Sequence, residues 1–132
     1  MRQINSFMKT AVIAVVLVLL ASASVAQTGN TQRVRFARGS NRAVLKGAVV
    51  RGTTDQYILG ARRGQTMIVR VTSLEKNAVF TILGPDGAAL PGTDEGRDAT
   101  SWAGELPHDG DYSIWVSPTR GNATYTLEIT IR

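Results

Sequence analysis

The sequence predicts an all-β protein: a single antiparallel β-sandwich of about eight short strands, of the jelly-roll-like kind, after an N-terminal signal peptide. Three observations favour this fold. Short runs rich in β-branched and aromatic residues recur along the chain, segments rich in Gly, Pro, Asn and Asp separate them, and no helical periodicity appears after residue 26. A barrel built from the same strands is the alternative architecture.

Residues 1–26 have the three parts of a secretory signal peptide. Arg2 and Lys9 supply positive charge without an acid, residues 11–20 are apolar, and residues 21–26 are mostly small. The apolar run is shorter than the roughly 20 residues that a membrane-spanning helix needs, so an uncleaved anchor is the weaker interpretation. We predict cleavage before Gln27, or else after Ala23, and a periplasmic or secreted domain of residues 27–132 that does not span a membrane.

The first half of this domain divides into four predicted strands, at residues 33–37, 42–50, 55–61 and 66–73. Turn-forming segments separate them, among them RGSN at 38–41 and RGTT at 51–54. In the fourth strand Met67, Val69 and Val71 face one way, as expected for a half-buried strand. Gly47, inside the second strand, predicts a bulge or a close approach of another group to the backbone.

The second half contains four more predicted strands, at residues 77–83, 100–106, 111–117 and 122–131. The GPDG segment at 84–87 is a strong turn signal, and the polar segment 88–98 is predicted to form the longest loop. The last strand alternates most clearly, because one face is formed by Tyr125, Leu127, Ile129 and Ile131.

The charge is distributed unevenly along the chain, whose formal net charge is +5. Residues 27–76 hold ten Arg or Lys and two acids, whereas residues 77–132 hold eight acids and three Arg. A basic patch would favour anionic partners such as acidic proteins, lipopolysaccharide or cell-wall polymers, while nucleic acid is not expected for an exported domain. The favoured alternative is that the strands of a sandwich interleave and mix the two blocks.

No catalytic site is predicted, and the protein is not expected to be an enzyme. The one histidine, His108, lies in a turn without any nucleophile motif, and a hydrolase built on it or on the loop carboxylates is the weakest interpretation. Asp94, Glu95 and Asp98 cluster in the long loop, but they lack the ordered spacing of a calcium loop, so calcium binding is not favoured. Without cysteine there is no disulfide and no thiolate metal site, and no cofactor is expected.

The two tryptophans differ in their predicted positions. Trp102 shares the parity of Leu106 and is assigned to the core. Trp115 lies on the face of Ser113 and Ser117, opposite the inward set of its strand. There it either stacks on a sugar or anchors a protein partner, or it is covered by the 88–98 loop.

Three groups of segments resemble the bacterial pre-peptidase C-terminal (PPC-like) β-sandwich family. These are VRFARG at 34–39 with AVLKG at 43–47; DQYIL at 55–59 with ARRGQTM at 61–67; and WAGELP, GDYSI and NATYTL, which begin at residues 102, 110 and 122. Within that family the chain is most similar to small exported proteins related to the periplasmic inhibitors of goose-type lysozyme. The resemblance extends over nearly all of residues 33–132.

The resemblance implies a non-catalytic binding module with a protein partner, goose-type lysozyme. In those inhibitors a surface loop enters the substrate cleft, and basic residues before the last strand contribute. Thr119 and Arg120 match the start of that segment, although here the strand resumes almost at once. An inserted arginine would pair with the carboxylates of a glycosidase cleft, whereas the alternative for Arg120 is a solvated turn residue. The second functional interpretation is a carbohydrate- or cell-wall-binding module that uses Trp115, Arg62 and Arg63.

Overall fold

The computed structural model describes residues 29–132 and shows a β-sandwich of eight strands in two four-stranded sheets. The predicted fold class is therefore confirmed, while the predicted signal peptide lies outside the described residues. The strands are β1 (Thr31–Arg33), β2 (Arg42–Val49), β3 (Asp55–Ala61), β4 (Thr66–Ser73), β5 (Ala78–Leu83), β6 (Ser101–Glu105), β7 (Gly110–Pro118) and β8 (Ala123–Ile131). No helix within residues 29–132 is long and apolar enough to cross a membrane.

The two sheets have the strand orders β1-β3-β7-β5 and β2-β8-β4-β6, and the core lies between them. The alternation predicted for β4 and β8 is confirmed, because Met67, Val69, Leu127 and Ile129 are completely buried. Trp102 is partly buried and packs against this core, as its parity predicted. Seven of the eight strands lie within one residue of their predicted ends.

The first strand was predicted at the wrong place. It occupies Thr31–Arg33 rather than residues 33–37, and it pairs in parallel with β3, so the sandwich is not purely antiparallel. Val34 still donates its N–H to the Ile58 carbonyl at 2.8 Å, but its side chain and that of Phe36 then pack against the core where the chain leaves the sheet. Val34 and Phe36 alternate with polar residues as in a strand, but they do so because both pack against the edge of the core.

The segment 88–98 covers the edge of β5, in agreement with its prediction as the longest loop. Leu90 donates its N–H to the Ile82 carbonyl at 2.8 Å, and the buried hydroxyl of Thr93 accepts from the Ile82 N–H and donates to the Leu90 carbonyl. The Trp102 indole donates to the Pro91 carbonyl at 2.9 Å. The loop is therefore fixed to both sheets, and it shields an edge that could otherwise pair with another chain.

A buried chain of hydrogen bonds joins the two sheets. The Tyr125 hydroxyl on β8 donates to the Asp55 carboxylate on β3 at 2.7 Å and is also hydrogen-bonded to the Tyr57 hydroxyl. The other carboxylate oxygen accepts the Asn30 N–H at 3.0 Å, and Asp55 is only 3% exposed. A buried charge is tolerated only when it is hydrogen-bonded in this way.

Gly47 explains how the Tyr125 ring reaches this position. A Cβ at residue 47 would lie 2.5 Å from the Tyr125 hydroxyl oxygen, whereas the pairing of β2 with β8 continues without interruption through Gly47 and Tyr125. Of the two predicted reasons for this glycine, the close approach is therefore correct and the bulge is not.

We expect Gly47→Ala to lower the free energy of unfolding by about 1–3 kcal/mol, because the added methyl group overlaps the Tyr125 ring, whose hydroxyl is held by Asp55. Gly60→Ala is the matched control. Gly60 also lies within a strand, β3, but a Cβ there would meet its nearest atoms at 3.5 Å, an ordinary van der Waals distance. Urea unfolding of both variants measures the difference. Equal stabilities would contradict the close-approach explanation.

We expect Tyr125→Phe to cost about 1–3 kcal/mol at neutral pH, because a buried carboxylate loses its donor. Burial, and then the hydrogen bonds to Tyr57 and Asp55, raise the pKa of Tyr125 far above its ordinary value. Near pH 10 this tyrosine ionises in the unfolded chain and not in the folded protein. Its contribution to stability is therefore constant below that pH and falls above it by up to about 1.4 kcal/mol per pH unit.

Urea titrations between about pH 8 and 11 test this linkage, and the decline should be shallower in Tyr125→Phe than in the unchanged protein. The same slope in both proteins would mean that Tyr125 does not titrate differently in the folded and unfolded states.

Candidate functional site

Three turns meet at one end of the sandwich, where β2, β4 and β7 end. They are residues 50–53, 74–77 and 118–122, and together they are called the three-turn surface below. The turns touch through polar contacts: the Arg51 N–H donates to the Asn122 side-chain oxygen at 2.8 Å, and the Arg120 guanidinium donates to the Glu75 carbonyl at 2.6 Å. This end of the molecule is therefore one continuous surface.

Asn77 holds two of these turns together from below. Its side chain is almost completely buried, and its amide group donates to the carbonyls of Arg120 at 3.1 Å and Asn122 at 3.0 Å. The backbone carbonyl of Asn77 accepts the Thr119 N–H at 2.9 Å, and its backbone N–H donates to the Ser73 hydroxyl at 3.0 Å. Because these bonds use both N–H donors of the side-chain amide and both backbone polar groups of Asn77, the turn that carries Arg120 has little freedom.

Arg120 is exposed, and only part of its hydrogen-bonding capacity is engaged within the protein. One guanidinium nitrogen binds the Glu75 carbonyl, whereas a guanidinium has five N–H donors. Arg51, Thr119 and Arg120 line a shallow depression of about 340 Å³. With Lys76 nearby, the three-turn surface carries three cationic side chains and one acidic one, Glu75, so it suits an acidic partner.

Arg62 and Arg63 lie at the opposite end of the sandwich. They follow β3, whose last residue, Ala61, pairs with Gly110 at the start of β7, whereas Arg120 follows the end of β7. The length of β7 separates the two ends by roughly 25 Å. The clefts that Trp115 lines include neither Arg62 nor Arg63, so the structure does not bring these three predicted carbohydrate-binding residues into one cleft.

Trp115 lies on the outer face of its sheet and is partly buried, and it lines a cleft together with Ala89 and Glu95 of the 88–98 loop. This cleft has a volume of about 430 Å³ and is also lined by Thr81 and Ser117, and Thr119 lines an adjoining cleft of about 370 Å³ with Trp115. Its indole nitrogen is buried without a hydrogen-bond partner. Trp115 therefore lies on the outer face, as its parity predicted, and its role in stacking on a sugar or anchoring a protein partner stays a prediction.

The carboxylates of the long loop do not form a metal site in the described part of the chain. Among residues 29–132 no group of three or more His, Asp or Glu side chains is arranged to hold a metal ion. Asp94 pairs with Arg97 at 3.5 Å, and His108 lies 3.5 Å from Asp86. The expectation that the protein needs no cofactor stays a prediction.

The two charge blocks of the sequence mix in space, as interleaved strands require. Arg33 forms two hydrogen bonds with Asp111, at 2.9 and 3.1 Å, and Arg42 pairs with Glu128 at 3.0 Å. The Arg33 guanidinium lowers the pKa of the Asp111 carboxyl below its ordinary value. In these pairs, basic residues of the first block lie against acidic residues of the second, as the interleaving of strands predicted.

Two residues that define the three-turn surface escaped the sequence analysis. Asn77 stood at the start of a predicted strand, where an exposed polar residue is ordinary, and its partners are 43 and 45 residues away. Leu74 follows an alternating strand and was not singled out, yet it is fully exposed. The sequence did contain one signal for Leu74: it is an apolar residue that does not share the inward-facing parity of Met67, Val69 and Val71.

Comparisons with solved structures find the same fold in inhibitor proteins. No model of a protein family matches the chain, and no curated protein matches it. The chain is 31% identical to the solved structure of PliG from Aeromonas hydrophila, a periplasmic lysozyme inhibitor of g-type lysozyme, with a TM-score of 0.69 over 80% of this chain and 100% of that one.

Two further solved structures are similar. PliG from Salmonella Typhimurium, also a periplasmic inhibitor of g-type lysozyme, is 26% identical with a TM-score of 0.63 over 79% of this chain and 99% of that one. The pre-peptidase C-terminal domain of a collagenase from Bacillus anthracis, at 14% identity and a TM-score of 0.56 over 78% and 95% of the two chains, shares the fold alone.

Proposed function

We propose that this chain, which belongs to the family of PliG periplasmic lysozyme inhibitors among the PPC-like β-sandwiches, inhibits a g-type (goose-type) lysozyme. The observation that carries the proposal is the three-turn surface, on which Arg120 is exposed and its turn is held by the buried Asn77. The protein acts without catalysis of its own, by occupying the enzyme.

The chemistry of lysozymes explains why an arginine suits this role. Glycoside hydrolases cleave with a pair of carboxylic side chains inside a cleft. The guanidinium of Arg120 has the geometry to bind a carboxylate through two parallel hydrogen bonds, and its attachment to the Glu75 carbonyl fixes where it is presented. Because the turn is already ordered, little conformational entropy is lost when it enters the cleft.

The proposed function requires export, and the signal peptide predicted at residues 1–26 would supply it. The two PliG proteins similar to this chain are periplasmic. We place this protein in the same compartment, where an inhibitor meets a lysozyme that has crossed the outer membrane.

We expect the protein, expressed from the full chain, to inhibit lysis of cell walls by g-type lysozyme stoichiometrically and to spare chicken-type lysozyme. Arg120→Ala should weaken inhibition roughly ten- to a hundredfold, because a charge pair inside the cleft is lost. Arg63→Ala is the matched control, since this exposed arginine lies at the other end of the sandwich.

Two results would count against this proposal. If the unchanged protein does not inhibit g-type lysozyme at micromolar excess, the function is wrong. If inhibition is intact in Arg120→Ala but lost in Arg63→Ala, the protein inhibits through the opposite end. Unfolding curves of both variants should match the unchanged protein, so that a loss of folding is not mistaken for a loss of contact.

Glycan binding is the second candidate, and the cleft of Trp115, Glu95 and Ser117 favours it because an aromatic ring beside hydroxyl and carboxylate groups suits a sugar. On this alternative, retention of the protein on insoluble cell wall should be lost in Trp115→Ala and kept in Arg120→Ala. Equal retention of Trp115→Ala and the unchanged protein would eliminate it.

A further inference from the structure

Leu74 is the most exposed large apolar side chain among residues 29–132. Its relative exposure is 101%, compared with 56% for Val50 and 52% for Val44, the other large apolar residues that are exposed. Single exposed apolar residues are common on protein surfaces and need no explanation by themselves. Leu74 is distinguished from Val44 by its position on the three-turn surface, which Val50 shares, and from Val50 by its nearly twofold greater exposure and by its turn, whose Glu75 carbonyl binds Arg120.

The backbone that carries Leu74 is held firmly. The turn from β4 to β5 is closed by the Lys76 N–H, which donates to the Ser73 carbonyl at 3.2 Å, and by the Asn77 N–H, which donates to the Ser73 hydroxyl. The Arg120 guanidinium binds the carbonyl of Glu75, the residue after Leu74. Leu74 and Arg120 are therefore presented together, in a fixed relation.

Most of the residues around Leu74 are polar. Glu75 and Lys76 follow it in the turn, and Leu74 lines a groove of about 410 Å³ with Lys46, four Ser or Thr residues of β4 and β8, and the buried Tyr125. Because Leu74 is fully exposed, no side chain among residues 29–132 covers it. An apolar centre within a polar rim is the arrangement found at the energetic centre of protein–protein interfaces.

We propose that Leu74 is the apolar anchor of the contact with g-type lysozyme, packing against the apolar wall of the substrate cleft while Arg120 pairs with a carboxylate in it. This inference rests on the proposed function and deepens it. The occupant is the lysozyme rather than a second copy of this chain, because Arg51, Lys76 and Arg120 would face their own like charges in a symmetric dimer of this surface.

The test uses the protein expressed from the full chain and compares Leu74→Ala with Val44→Ala. Val44 is the matched control: it is also an exposed aliphatic residue, but it pairs with Glu128 in the middle of β8, away from the three-turn surface. Leu74→Ala should weaken binding of g-type lysozyme about ten- to thirtyfold, mainly through faster dissociation, and Val44→Ala by less than about threefold.

The outcomes separate this inference from the proposed function. Weaker binding in Leu74→Ala alone, with an unchanged thermal midpoint, supports the anchor. Unchanged binding in Leu74→Ala, while Arg120→Ala is impaired, overturns the anchor and leaves the inhibitor function standing. Equal weakening in Leu74→Ala and Val44→Ala also overturns it, and failure of the unchanged protein to bind lysozyme overturns both.

Discussion

The hydrogen bonds from Tyr125 and Asn30 to the buried carboxylate of Asp55 are the interaction on which the rest of this structure depends. Asp55 begins β3, directly after one turn of the three-turn surface, and Tyr125 lies near the start of β8, directly after another. The bond therefore joins the two sheets just below the three-turn surface. Gly47 makes it possible, because any larger residue would occupy the space of the tyrosine ring.

The three-turn surface combines this support with a second buried polar group, Asn77. The Asp55 carboxylate joins strands of the two sheets, and the Asn77 side chain holds the turn that contains Arg120 and Asn122. An exposed arginine and an exposed leucine on flexible loops would lose much of their binding energy to ordering, whereas here the ordering is part of folding. The function we propose needs no cleft in this molecule, because in that proposal the three-turn surface enters the substrate cleft of the lysozyme.

The sequence predicted most of the fold and only part of the site. Alternation located the strands because each buries one face, as β4 and β8 do most clearly. It failed at Val34 and Phe36, which alternate like a strand but pack where the chain leaves the sheet. The resemblance pointed to Arg120, yet Asp55 and Asn77 bind partners between 25 and 70 residues away, and such pairing has no local signature in a single sequence.

The most direct measurement is a map of backbone amide chemical shifts of the protein, recorded by NMR during titration with g-type lysozyme. We expect the largest changes at residues 50–53, 74–77 and 118–122, with Leu74 and Arg120 among them, and small changes at Arg62 and Arg63. Changes centred on the Arg62 end or on the Trp115 cleft, or no changes at all, would contradict the proposal that the three-turn surface binds the enzyme.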